Sequence, residues 1–280
     1  MRHSLYRAFA LLFAAALPAL ASNGVIEINQ AKALAGGVTP GDTAGFPVTL
    51  SGNGSFILTS DLNLNVAASP SDTNGIEVVG ESITIDLNGF TIFGPTQCSP
   101  PHPVTCTSSG LGIGIEVPFS FTNLAVRNGT IRGLGKHGIH QENGQGVYED
   151  LTVLSNGGTG MLVQSSAIRR VKARLNGLRG IDVLEGTVSG STATLNKLDG
   201  IRGTFATIES CQSTNNGGLG FAGASSTLQG NYANINQGGA FSTTGSSWSG
   251  NTLLGCGGPC QAGSGNLQLG PNNCDGVACP

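Results

Sequence analysis

Two glutamates and a histidine occupy one position of a recurring Gly-Ile-x pattern in this sequence: Glu77, Glu116 and His140. Two carboxylates about 5–5.5 Å apart suit retaining glycoside hydrolysis. A histidine beside them can move protons near neutral pH. Ca²⁺ takes oxygen ligands, so the glutamate pair also suits this ion. We therefore treat Glu77, Glu116 and His140 as candidate catalytic residues and Glu77 and Glu116 as candidate calcium ligands; no other cofactor is indicated.

Whether these side chains meet depends on a repeat that is clearest later in the chain. Asparagines recur every twenty residues, and each is followed four positions later by glycine or alanine and then by an apolar residue. They are Asn156, Asn176, Asn196, Asn216 and Asn236. An apolar column keeps the same register at Tyr148, Ile168, Val188, Ile208, Leu228 and Trp248. A fixed period of this length is typical of a solenoid, whose repeats bury their apolar side against their neighbours.

The composition of each repeat indicates strands. Twenty residues are too few for two helices and a turn, and apolar residues alternate over short runs such as 161–163 and 181–183. We predict an all-β, single-chain parallel β-helix with coils of about twenty residues, stacked ~4.8 Å apart. The six-residue period of left-handed β-helices does not divide twenty, which favours the right-handed form. The asparagines are expected at corners, bonded to their copies one coil away and accepting a left-handed backbone.

The run 83–92, the Gly-Ile-Glu-Val tetrads at 75–78 and 114–117 and the asparagine column together carry a family resemblance. They resemble exported bacterial right-handed β-helix repeat proteins of the pectin-lyase-like group, over roughly residues 46–265. The group includes polysaccharide lyases, galacturonan hydrolases, uronate epimerases and phage tailspikes. The Asn-Thr-Asp, Asp-Asp, Gly-His-Gly and Arg-Ile-Lys motifs of polygalacturonases are missing here, and the nearest fragment is His137 to His140. The resemblance therefore implies a fold and leaves the reaction unassigned.

The chain divides into four predicted segments. Residues 1–21 have the charged start, apolar run and small residues of a secretory signal peptide, so we expect a secreted protein, extracellular or periplasmic. Residues 22–45 form an N-terminal cap with a short helix over 27–35. Residues 46–255 form the β-helix, with a proline-rich loop insertion at 94–112, and residues 256–280 form a cysteine-rich C-terminal cap. The mature chain has no other stretch near the length of a membrane span.

Export favours disulfides over metal binding for the cysteines. We predict that Cys98 and Cys106 close the inserted loop. Four further cysteines would staple the C-terminal cap, with three pairings open and zinc the less favoured alternative. They are Cys256, Cys260, Cys274 and Cys279. Cys211 lies in an apolar column and is expected to be a buried free thiol.

Charge patterning separates the function hypotheses. With 13 basic and 16 acidic residues the chain gives no electrostatic reason to bind nucleic acid. Opposite charges recur one coil apart, as in Asp182 with Arg202 and Arg179 with Asp199, and such pairs fix register. The first hypothesis is an exported, monomeric β-helix that binds a polysaccharide and cleaves it by lyase or glycoside hydrolase chemistry. The alternative is a non-catalytic extracellular or cell-surface solenoid for adhesion or structure.

Overall fold

The chain forms a right-handed parallel β-helix, as the sequence predicts. A computed structural model describes residues 24–256 and 260–279, and the predicted signal peptide lies outside them. Each coil contributes a strand to each of three parallel sheets, which we call the first, second and third sheet in the order the chain meets them within a coil.

The first sheet contains the Gly-Ile-x pattern and the candidate site. Its strands are Val48–Leu50, Ile76–Val78, Ile115–Val117, Ile139–Gln141, Met161–Gln164, the starts of Ile181–Ser189 and Ile201–Glu209, Phe221–Ala224, Phe241–Thr244 and Gln261–Ala262.

The second sheet contains the apolar column that includes Tyr148. Its strands are Val25–Ile28, Gly54–Leu58, Ile83–Asp86, the starts of Phe121–Arg132 and Gly144–Leu154, Ala167–Arg169, the ends of Ile181–Ser189 and Ile201–Glu209, Thr227–Gln229, Ser247–Ser249 and Leu267–Gln268.

The third sheet leads back to the asparagine corner. Its strands are Leu62–Asn63, Thr91–Phe93, the ends of Phe121–Arg132 and Gly144–Leu154, Lys172–Arg174, Thr192–Thr194, Gln212–Thr214, Tyr232–Asn234, Thr252–Leu254 and Asn273–Cys274, the last of which pairs with the antiparallel Val277–Ala278.

The N-terminal cap contains the expected helix in a shorter form. It spans Gln30–Ala35, capped by the Asn29 side chain, which accepts a hydrogen bond from the Lys32 backbone N–H. The preceding Val25–Ile28, whose end we predicted as helix, instead extends the second sheet by pairing with Gly54–Leu58. Alternating Val-Ile-Glu-Ile suits that open sheet edge better than a helix turn. Ala33 is fully buried, so the helix packs on the core. A single turn of 3₁₀-helix, Leu64–Val66, follows in the first coil.

The core is the stack of inward residues from all three sheets. Ile76, Ile115 and Ile139 of the first sheet are fully buried, as is Tyr148 of the second. Because side chains alternate across a strand, the residues between the buried ones face outward in columns. The fold therefore places outward residues of successive coils ~4.8 Å apart.

Buried asparagines join the coils at the corner between the third and first sheets. The Asn196 carbonyl oxygen accepts from the backbone N–H and the side-chain amide of Asn176, at 3.1 and 2.9 Å. Its own amide donates to the Ala173 carbonyl and to the Asn216 side chain, at 3.2 and 2.9 Å. The pattern repeats from Asn156 to Asn236, all of them 0–4 % exposed. Each amide thus satisfies backbone groups that the turn leaves without a strand partner.

The left-handed backbone at this corner belongs to a different residue than expected. The residue before each asparagine has positive φ, as at Leu175 (54°) and Leu195 (55°), whereas the ladder asparagines do not. A non-glycine residue in this conformation costs roughly 1–2 kcal/mol. The asparagine is selected for its amide, and the ladder bonds offset the strain in the preceding residue.

Similar ladders lie at the other two corners, and the twenty-residue pattern did not reveal them. Between the second and third sheets the Cys211 backbone N–H donates to Asn231, which bonds in turn to Asn251. Between the first and second sheets serines take this place: the Ser226 N–H donates to the Ser246 hydroxyl at 3.1 Å. Side-chain bonds between coils therefore stabilise all three corners.

The cysteines that belong to disulfides pair within the inserted loop and within the C-terminal cap. Cys98 and Cys106 link the antiparallel strands Gln97–Ser99 and Thr105–Thr107, which we call the inserted hairpin. In the cap, which the sequence left with three pairings, the bonds are Cys256–Cys260 and Cys274–Cys279. Cys211 is a buried free thiol, and burial raises its pKa to about 12, so it is unreactive near neutral pH.

Replacing one ladder asparagine tests the importance of this interaction. Asn196→Ala removes four hydrogen bonds and leaves the buried Asn176 backbone N–H and the Ala173 carbonyl without these partners, so we expect a loss of about 2–4 kcal/mol in the free energy of unfolding. Urea titration followed by circular dichroism measures it. Asn234→Ala, the same change at a half-exposed strand position, should cost under about 1 kcal/mol. Equal losses in the two variants would contradict the proposed role of the ladder.

Candidate functional site

The three candidate residues are neighbours on the outer face of the first sheet. Glu116 pairs in register with Glu77 on one side and with His140 on the other. Each follows a fully buried isoleucine, so strand alternation directs all three side chains outward. The long insertion between the coils of Glu77 and Glu116 does not disturb this register.

Glu116 forms a close pair with His140. The imidazole Nδ1 lies 3.0 Å from one carboxylate oxygen and 3.2 Å from the other. The side chains are 13 % and 19 % exposed, so water screens the pair only in part. An ionised carboxylate only accepts hydrogen bonds, so in the neutral imidazole the proton lies on Nδ1 and the lone pair on Nε2. We call this pair the Glu116–His140 dyad; it has the arrangement of a carboxylate-oriented general base.

His137 lies beside the dyad, and the sequence analysis did not select it. Its ring centroid is 5.4 Å from that of His140, and it is 6 % exposed. The backbone N–H of Thr159 donates to its Nδ1 at 3.0 Å, so a neutral His137 carries its proton on Nε2. Burial, together with the neighbouring His140 and Lys136, lowers the pKa of His137 to about 4. His137 is therefore a neutral hydrogen-bond donor at physiological pH.

Lys136 adds an exposed cation to this group. Among residues 24–256 and 260–279 it forms no ion pair, so its charge is available to a ligand. The five-residue stretch from Lys136 to His140 thus supplies a cation, a neutral donor and a base. The available sequence signal was the pair of histidines three residues apart at the start of a first-sheet strand.

Further along the same face, charged side chains neutralise one another. Arg179 contacts Asp199 at 3.1 Å and Asp182 at 3.3 Å, and Arg202 lies 3.8 Å from Asp182. Burial raises the pKa of Asp182, and the two arginines oppose that shift. These are the register-fixing pairs predicted from the sequence, with Arg179–Asp182 as an addition. The network is complete in itself and supplies no free charge to a ligand.

The second and third sheets meet at another set of paired charges. Arg169 contacts Glu149 at 2.8 Å and Arg170 contacts Asp150 at 2.7 Å, so each pair again joins residues one coil apart. Exposed pairs of this kind contribute little to stability, ~0–1 kcal/mol. Their value is in aligning adjacent coils.

The inserted hairpin runs along the asparagine corner, beside the first sheet. Cys98 Sγ lies 3.6 Å from the Asn156 carbonyl, and His102 at the tip bonds to the Asn215 carbonyl. Val104 is fully buried with Leu175 in a small apolar cluster under the hairpin. The hairpin therefore lies on coils that follow it in the chain, along the edge from which strands enter the candidate site.

The donor set around the two glutamates is small for calcium. Ca²⁺ takes six to eight oxygen ligands, whereas Glu116 is hydrogen-bonded to an imidazole and only Glu77 is left as a second carboxylate in the column. The calcium site stays a prediction. A second group, Cys256, Cys260 and Asp275, clusters within 4.8 Å, but its sulfurs form a disulfide and offer no thiolate to a metal.

Comparison with known proteins identifies the architecture. No protein-family model and no curated protein matches the chain. The enzymatically active domain of the bacteriophage CBA120 tailspike protein 2 is similar with a TM-score of 0.51 and 15 % identity, over 80 % of this chain and 41 % of that one. The A-module of the Azotobacter vinelandii mannuronan C-5 epimerase AlgE4 gives a TM-score of 0.46 and 13 % identity, over 91 % and 85 %. Pectate lyase Pel9A gives 0.37 and 14 %, over 81 % and 69 %.

The likeness to the tailspike domain supports the right-handed parallel β-helix fold. At 15 % identity it shows the fold alone and assigns no activity to this chain. Across the described part of the chain, no helix is long and apolar enough to cross a membrane.

The buried neutral His137 predicts a specific pH dependence of stability. Its pKa is about 4 in the folded state and 6.5 in its ordinary state, so between these values the unfolded chain binds more protons. The contribution of His137 to the free energy of unfolding is therefore fully present above pH 6.5. It decreases toward pH 4, by up to about 3 kcal/mol.

Urea midpoints at pH 7.5, 6, 5 and 4 measure this effect in wild type and in His137→Asn, whose amide oxygen can still accept from Thr159. The variant should lose less stability than wild type on acidification. Parallel curves for the two proteins would show that His137 is not a buried neutral histidine.

Proposed function

We propose that the protein binds an acidic polysaccharide along the outer face of the first sheet and cleaves it by lyase chemistry. The observation that carries the proposal is the Glu116–His140 dyad on the outer face of the first sheet, next to the neutral donor His137 and the exposed cation Lys136. The charged network from Arg179 to Arg202 is neutralised and offers no comparable group.

Lyase chemistry requires removal of a proton from a ring carbon next to a sugar carboxylate. In our proposal Lys136 pairs with that carboxylate and His137 donates a hydrogen bond to it, since both stabilise the negative charge that develops there. Nε2 of His140 takes the proton, and Glu116 stabilises the resulting imidazolium. The electron pair of the C–H bond forms a double bond and expels the glycosidic oxygen, which takes a proton from water.

Glycoside hydrolysis fits the contacts less well. Glu77 and Glu116 lie on adjacent coils, at a spacing that suits a retaining pair. Both oxygens of Glu116, however, lie within hydrogen-bond distance of His140 Nδ1, which holds this carboxylate toward the histidine. The dyad therefore supports proton abstraction over nucleophilic attack.

The fold is compatible with this proposal. The tailspike domain of the same architecture is described as enzymatically active, so an active site can be carried by a β-helix. The three disulfides support an oxidising compartment, in agreement with export to the periplasm or the extracellular space. We further propose that the protein acts as a monomer.

A non-catalytic scaffold is the second candidate, and a specific observation favours it. Most charged residues of the regular coils form ion pairs between adjacent coils, as expected for a purely structural solenoid. The lyase and the scaffold predict different effects of a Glu116 substitution on activity.

Glu116→Gln tests the dyad directly. The amide keeps the shape and can still bond to His140, but it cannot stabilise an imidazolium, so we expect kcat to fall at least about a hundredfold. Formation of unsaturated uronate is followed by ultraviolet absorbance on a panel of acidic polysaccharides, and reducing ends are measured in parallel. Glu209→Gln, at an exposed glutamate of the second sheet, serves as the matched control and should retain full activity.

Two outcomes would contradict the lyase proposal. Absence of product from the folded wild-type protein on every polymer would favour the scaffold. Reducing ends without unsaturated uronate would favour hydrolysis by Glu77 and Glu116.

Calcium dependence is tested separately. Because Glu116 is engaged with His140 and Lys136 supplies a cation, we expect activity to persist in excess chelator. Assays with chelator and with added CaCl₂ check this. An activity lost in chelator, restored by CaCl₂ in wild type and not restored in Glu77→Gln, would support the calcium site in its original form.

A further inference from the structure

An open cleft of about 540 Å³ lies at the corner between the first and second sheets, near the N-terminal end of the β-helix. It is lined by residues of three successive coils, including Asn53, Glu81 and Phe121. Backbone bonds from Gly54 to Ser82 and from Ser82 to Thr122 hold these coils in register. The cleft is thus a fixed feature of the corner.

The floor of the cleft is bare backbone. Gly52 has φ +82° and open space where a Cβ would project. At Gly80 a Cβ would lie 2.0 Å from the Gly52 carbonyl, so only glycine fits at this position. Two glycines on adjacent coils leave a flat surface against which a ring-shaped ligand can lie closely.

An exposed aromatic ring packs on Phe121, one of the residues that line the cleft. Phe119 is 59 % exposed, and its ring packs edge-to-face on Phe121, with centroids 5.9 Å apart. The contact with Phe121, which lines the cleft, orients Phe119 while most of its surface stays in water. An oriented aromatic face beside polar groups suits the C–H face of a pyranose with hydroxyls at its rim.

The cleft lies close to the candidate site along the chain. Val79 in its lining lies two residues beyond Glu77 on the same coil. On the other side of the Phe119 coil, a second cleft of about 200 Å³ is lined by His140, Glu142 and Gln164. A polymer that follows the helix axis would occupy both clefts and pass Phe119 between them.

Both clefts are lined by a glutamate, Glu81 in the larger and Glu142 in the smaller. Glu81 lines the larger cleft and Glu77 lies next to it, and across the described residues neither forms an ion pair. A sugar carboxylate there would meet like charge. The exposed Lys136 lies beside His137, whose ring centroid is 5.4 Å from that of His140, so a positive charge is present on that side of the column.

We infer that the larger cleft is a subsite for a neutral pyranose stacked on Phe119, within a heteropolysaccharide whose acidic sugar is held at the Glu116–His140 dyad. The inference rests on the proposed function and narrows its substrate class. Asn53 and Ser82 supply hydrogen bonds to the hydroxyls, and Glu81 excludes a uronate.

Phe119→Ala tests the stacking surface, with Phe205→Ala as control. Phe205 has the same exposure, 60 %, and lies at the same corner several coils further on. The probes are gellan, which mixes glucuronate with neutral sugars, and polygalacturonate, which is acidic throughout. Affinity electrophoresis and KM should show about fivefold weaker interaction of Phe119→Ala with gellan, with kcat unchanged. Phe205→Ala should match wild type.

Glu81→Gln tests the exclusion of a uronate. The variant should bind polygalacturonate several-fold better than wild type while its binding of gellan changes little. Wild-type affinity for gellan in Phe119→Ala, or a wild-type preference for polygalacturonate that Glu81→Gln leaves unaltered, would overturn the subsite and leave the dyad proposal standing. A wild-type protein that binds neither polymer would overturn both.

Discussion

The buried asparagine ladder is the interaction on which the rest of this structure depends. Each amide must meet its copy one coil away, because an unpaired amide or backbone group in the interior costs several times what a satisfied one contributes. A residue added to or removed from a coil would displace the next asparagine from its partner. Coil length is therefore fixed at twenty through this region, and extra residues must leave the stack, as the inserted hairpin does.

The repeat predicted much of the fold because a solenoid converts sequence period into spatial neighbourhood. The columns that joined Glu77, Glu116 and His140, and Asp182 with Arg202, needed only the period and the alternation of strand side chains. Other features depend on side-chain choices that a period cannot specify. The repeat does not show whether the Glu116 side chain points toward Glu77 or toward His140. Its hydrogen bond with His140 determines the orientation. Burial lowers the pKa of His137, and the Thr159 N–H determines which ring nitrogen holds the proton. Both depend on the backbone conformation at one corner.

The regular and irregular parts of the β-helix differ in how their outward charged residues are arranged on successive coils. Where coils repeat strictly, many charged side chains pair with opposite charges on the next coil and help to fix the register. Between Glu77 and His140 the coils vary in length. Asp86 still pairs there with Arg127, but the first-sheet column also places two glutamates next to each other. A ligand site can be built where outward residues of adjacent coils do not all pair with one another.

The inserted hairpin changes how such a stack comes apart. A solenoid of coils that touch only their neighbours is close to one-dimensional, and it can fray from an end one coil at a time. The hairpin breaks that rule, because its contacts reach Asn156 and Asn215, 58 and 113 residues away along the chain. The hairpin lies across all coils between its base and its tip. Separating any one of these coils therefore requires breaking the contacts of the hairpin with the others. A local strap of this kind ties the coils it crosses into one unit, and fraying is then easiest in the coils on either side of it.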